Sequence, residues 1–73
     1  MDKSSLLTRL AKARDRAEKA YLNVVLLTLE AGQRHANGSS SPAFDVRLQM
    51  AANEEQKRLK EVEWILDQLD KVE

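Results

Sequence analysis

Apolar residues in this 73-residue chain recur at alternating four- and three-residue intervals along two long stretches. In the first, Leu6, Leu10, Ala13, Ala17, Ala20, Val24, Leu27 and Ala31 follow one another without a break. In the second, Leu48, Ala52, Glu55, Leu59, Val62, Leu66 and Leu69 do the same, with one polar member. Such spacing keeps one face of an α-helix apolar and marks a coiled-coil seam. Period-two alternation never persists, so no strand is predicted.

One segment interrupts the pattern: Asn37-Gly38-Ser39-Ser40-Ser41-Pro42. Asn-Gly favours the left-handed backbone that ends a helix. Ser41 can cap free amide groups, and Pro42 at the first helical position sacrifices no hydrogen bond. Asp45 places negative charge in the following first turn, and Arg34 and His35 place positive charge in the preceding last turn, both as the helix dipole favours. Residues 4–35 and 42–72 are therefore read as helices joined by a loop at 36–41, with Asp2, Ser4 and Ser5 as alternative caps of the first. The whole chain, 1–73, is one all-α domain, a coiled-coil-like antiparallel helical hairpin. A connection this short forces neighbouring helices antiparallel. Residues whose numbers sum to about 75 then face each other, with Ala13 opposite Val62, Leu10 opposite Leu66, Ala17 opposite Leu59 and Ala20 opposite Glu55. The same register sets Lys12 near Glu63, Arg14 near Glu61 and Arg9 near Asp67.

A hairpin buries one stripe of each helix, yet positions 21–29 are apolar almost all round. Val24 and Leu27 belong to the seam, whereas Leu22, Val25, Leu26 and Leu29 do not. A helix apolar on all sides is normally covered on more than one side. Leaving such side chains in water forfeits roughly 1.5–3 kcal/mol each. Met50, Trp64, Ile65 and Val72 lie outside or beside the second seam. Leu22, Val25, Leu26, Leu29, Met50 and Trp64 are accordingly the candidate partner-binding residues.

Size and composition point the same way. A domain this short needs disulfides, a metal or association to supplement its core. Cysteine is absent and His35 is the single histidine, so neither disulfides nor a thiolate or histidine-rich metal site is expected. Lys and Arg number twelve, as do Asp and Glu, which argues against a nucleic-acid binder. The first 35 residues hold seven basic and four acidic side chains and the remainder five and eight, so the halves carry +3 and −3 and neutralise each other when side by side. Asp15 and Glu18 interrupt the basic run Arg9, Lys12, Arg14, Arg16 and Lys19.

No stretch approaches the ~20 apolar residues that span a bilayer. The N-terminus meets charge again by Arg9 and offers no small-residue cleavage site, so a cytoplasmic protein is expected. No phosphate loop, nucleophile elbow or metal motif occurs, and a hairpin offers no cleft to shift carboxylate pKa values. The chain is therefore read as no enzyme, and no cofactor is expected. Glu55 is either a register-setting seam charge or a glutamate extended to solvent past Ala20. His35 reads as a helix-end residue. Trp64 is either a binding anchor or a cover for the hairpin's own flank.

In layout the chain resembles the small E-type co-chaperones of bacterial type III secretion systems. The likeness lies in its size, in a first helix ending near Leu29-Glu30-Ala31-Gly32, and in a second helix running from Leu48 to Ile65-Leu66-Asp67-Gln68-Leu69. It implies a cytosolic hairpin that pairs with a larger helical-repeat chaperone and keeps a needle subunit from polymerising early. Needle subunits are themselves short hairpins about a proline-containing turn, from which Ser40-Ser41-Pro42 departs. The function expected is that of a small helical adaptor or co-chaperone that packs its surplus apolar helix face against a protein partner. Two other readings stand beside it: a self-assembling hairpin such as a homodimeric four-helix bundle, and a phage- or plasmid-borne protein inhibitor.

Overall fold

Asp2 opens the first helix. Its backbone is extended and its carboxylate accepts a hydrogen bond from the Ser5 N–H at 2.7 Å. That bond satisfies one of the amides that a helix start leaves unpaired. Ser4 and Ser5, the alternative caps, lie inside the helix. The computed structural model describes residues 2–39 and 41–72, and contains α1 (Lys3–Ala36) and α2 (Pro42–Val72), with no strand among the described residues. Hydrogen bonding from Ser5, backbone first, holds the Asp2 carboxyl below its ordinary value.

The end of α1 is a Schellman motif. Ser39 N–H donates to the Arg34 carbonyl at 2.7 Å and Gly38 N–H to that of His35 at 3.1 Å. Gly38 takes φ +70°, a left-handed geometry that a Cβ would strain. The start of α2 is capped by Ser41, whose Oγ accepts from the Phe44 N–H at 3.2 Å.

The two helices pack against each other over a body of 55 × 15 × 13 Å. On α1 the seam is the expected one: Leu6, Ala13 and Ala17 are buried, and Leu10, Ala20, Val24, Leu27 and Ala31 are half-buried. On α2 it is not. Phe44, Ala51 and Ile65 are buried, Arg58 is half-buried, and Leu59 and Leu66 are exposed. The α2 seam is therefore Phe44, Leu48, Ala51, Glu55, Arg58, Val62, Ile65 and Leu69. It shares the row 48, 55, 62, 69 with the expected seam but takes the adjoining row on the other side. Residue i+3 and residue i+4 stand about 60° and 40° to either side of residue i, so both choices preserve four-three spacing. The adopted row covers Phe44 and Ile65, whereas the rejected one would begin with Asp45. Leu10 is accordingly level with Ile65 rather than paired with Leu66, and Ala17 faces Arg58 rather than Leu59.

The adopted row brings the stem of an arginine onto the seam, its guanidinium reaching out to the charged flank. Arg58 lies 2.8 Å from Glu54 and 3.9 Å from Glu61, and Arg16 of α1 reaches the same Glu61 at 3.9 Å. Across the seam stand Ala17 and Ala20, small enough to leave room. This polar layer divides the core. Toward the chain ends, Leu10, Val62 and Leu69 pack on Leu6, Ala13 and Ile65. Toward the loop lie Val24, Leu27, Leu48, Ala51 and Phe44, whose ring is overlaid by Arg34 at 4.5 Å and Arg47 at 5.8 Å. The expected charge register is displaced as well. Arg16, not Arg14, meets Glu61, and among the described residues Lys12 and Glu63 form no ion pair.

Candidate protein-binding faces

The six candidate residues fall on two separate surfaces. A helix turns 100° per residue, so Leu22, Leu26 and Leu29 share the side of α1 turned away from α2, with Val25 at its edge. Leu22, Leu26 and Leu29 are 51%, 66% and 62% exposed, and Val25 is half-buried. No titratable side chain interrupts this strip, which is bounded by Glu18 and Gln33 along the helix. We refer to it as the back face.

Met50 and Trp64 lie elsewhere, on one flank of the hairpin. Met50 lines an open groove of about 380 Å³ together with Asn23, Leu27, Arg47, Ala51 and Glu54. Trp64 stands four turns further along α2, about 21 Å away, beneath the guanidinium of Arg9 at 5.1 Å. Arg16 and Glu61 bridge the helices between them. This flank is thus largely charged, and the structure does not join Met50 or Trp64 to the back face.

The opposite flank was missed by sequence reasoning. There α1 carries the row Leu7, Arg14, Tyr21 and Thr28, and α2 the row Asp45, Ala52, Leu59 and Leu66. Leu7, Tyr21, Leu59 and Leu66 are all exposed. Assigning Leu59 and Leu66 to the seam hid this surface. Their heptad repeat was visible, but it does not say whether a row is covered by α1 or by nothing in the chain.

Glu55 is half-buried on the seam next to Ala20's level. The seam charge with resolved partners is Arg58, which pairs with Glu54 and Glu61. No helix among the described residues is long and apolar enough to cross a membrane. Compared with protein-family models, with characterised proteins and with solved structures, the chain matches none.

Proposed function

We propose that this chain is a small helical adaptor that binds a protein partner by covering an apolar groove of that partner with the back face of α1. The observation that carries this reading is the strip Leu22, Leu26 and Leu29, more than half exposed on the side of α1 that its own hairpin leaves bare. Packing three leucines into a groove removes enough apolar surface to supply several kcal/mol, about 1.5–3 kcal/mol per fully covered side chain. An adaptor of this kind stabilises the partner's fold by mass action, because it binds only the folded form. A co-chaperone in the cytoplasm, pairing with a helical-repeat chaperone of a type III secretion system, is the specific form of this role that the layout of the chain suggests.

The test is capture of partners from the native cell by the tagged chain, with Leu26→Glu and Val25→Glu variants in parallel. Both variants should lose the partner while their circular dichroism stays helical. Normal partner binding by both variants would overturn the back-face assignment. Recovery of a partner with no helical-repeat domain would remove the co-chaperone form and leave the adaptor.

A further inference from the structure

The apolar flank opposite Met50 has an occupant that its own charges select. We propose that this flank is covered by a second copy of the chain, packed face to face so that α1 of one copy lies over α2 of the other with both loops at the same end.

Area sets the scale. The hairpin exposes 5537 Å², roughly 950 Å² more than the ~4,600 Å² expected of a compact monomer of its mass. A standard interface removes about 800 Å² from each partner. Its radius of gyration, 16.5 Å, compares with about 11 Å for a compact domain of this length. Two such hairpins laid side by side make a four-helix bundle, the usual way for this shape to acquire a core.

Charge selects the arrangement. On this flank the two outward rows of α1 carry Arg14 and Glu18, a net charge of zero, with Arg14 on the row nearer the seam. The α2 side carries Asp45, Glu63 and Asp70 and no Lys or Arg. A two-fold axis parallel to the helices sets each α1 over the partner's α2 at the same height. Rows then meet in layers whose residue numbers sum to about 73: Leu7 on Leu66, the Arg14 stem on Leu59, and Tyr21 on Ala52. The Arg14 guanidinium falls near Glu63, and Glu18 meets Gln56. Large side chains oppose small ones or fellow leucines, and every neighbouring pair of helices is antiparallel. An axis across the helices would instead set the acidic α2 rows against each other. The contact is isologous and closes, so it ends at the dimer. It leaves the two back faces on opposite edges of the bundle, open to other partners.

The test is sedimentation of the full chain over a concentration series. The wild type should reach twice its 8.3 kDa mass. Leu59→Glu and Leu66→Glu should shift it to monomer, and Leu26→Glu should leave the dimer intact. Arg14→Glu and Glu63→Arg should each weaken the dimer about tenfold, and their combination should restore it. Mixed Arg14→Cys and Glu63→Cys chains should form a disulfide faster than either alone. A strictly monomeric wild type at ~100 µM, or a dimer indifferent to the charge changes, overturns the proposal. Loss of a heterologous partner in Leu59→Glu, with a monomeric wild type, would assign the flank to that partner instead. Because Leu26 and Leu59 lie on different faces, failure of the dimer and failure of the adaptor reading are distinguishable.

Discussion

Ile65 and Leu66 are consecutive residues of α2, and α1 covers the first completely while leaving the second 46% exposed. One step along a helix rotates a side chain by 100°, enough to carry it from the centre of the seam to its margin. Ile65 joins Leu6 and Ala13 in the core. Leu66 contributes to the flank.

This contrast has a direct energetic consequence. Ile65→Ala should cost about 2–4 kcal/mol, the transfer term plus a cavity that the neighbouring side chains cannot fill. Leu66→Ala should cost under about 1 kcal/mol within the hairpin, since only part of its surface is covered. Urea unfolding at a concentration that holds the association state constant measures both. Equal losses would contradict the seam described here.

Arg58 occupies a core row at the price of desolvating its stem. Its partners Glu54 and Glu61 remain partly exposed, and an ion pair of this kind contributes little. Arg58→Met should therefore leave stability within about 1 kcal/mol of wild type. Thermal melting checks this. A loss above about 3 kcal/mol would mean that the polar layer is a principal source of stability.

The two glycines should respond with opposite sign. Gly38 sits at φ +70° in the Schellman motif, so Gly38→Ala should destabilise by about 1 kcal/mol. Gly32 lies within α1 with open space around its Cα. Gly32→Ala should stabilise by about 0.5–1 kcal/mol through helix propensity. Paired melting curves of the two variants provide the comparison.

Asp2 supplies a pH dependence. Its carboxyl titrates below the ordinary 3.8 because the charged form accepts the Ser5 hydrogen bond. A depressed folded-state value means the cap's contribution is complete above the unfolded value and is lost as pH falls through the folded one. The Ser5 amide resonance should shift with a midpoint below 3.8, and Asp2→Asn should abolish that titration. A midpoint at or above 3.8 would show that the cap does not form.

The end of α1 and the start of α2 were legible because local chemistry sets them, whereas the sequence left Asp2, Ser4 and Ser5 open as the cap of α1. Asn37-Gly38 ends α1, Ser41-Pro42 starts α2, and neither requires knowledge of a distant residue. The α1 seam was legible for a similar reason. Leu6 through Ala31 form a single pair of adjoining rows. The next row on one side, Arg9, Arg16, Asn23 and Glu30, is polar, and the next on the other, Leu7, Arg14, Tyr21 and Thr28, is broken by Arg14 and Thr28. The surplus of apolar residues at 21–29 was equally plain, as composition alone exceeds what one seam can cover.

On α2 the pattern is degenerate. The row Leu48, Glu55, Val62 and Leu69 has an apolar neighbour on each side, one through Ala51 and Ile65 and one through Ala52, Leu59 and Leu66. Periodicity within a helix is symmetric about the shared row, so no count of intervals chooses between them. Packing against α1 breaks the symmetry, by covering Phe44 and Ile65 and seating Arg58 opposite Ala17 and Ala20. Phe44 was the available clue, since it extends one row and Asp45 the other. That Met50 shares a groove with Asn23 and that Trp64 lies under Arg9 could not be read by inspection of the chain, because the neighbours of a helix face are fixed only when two helices are set at a particular rotation. That rotation is a property of volumes meeting across the seam, and it exists only once both helices are in place.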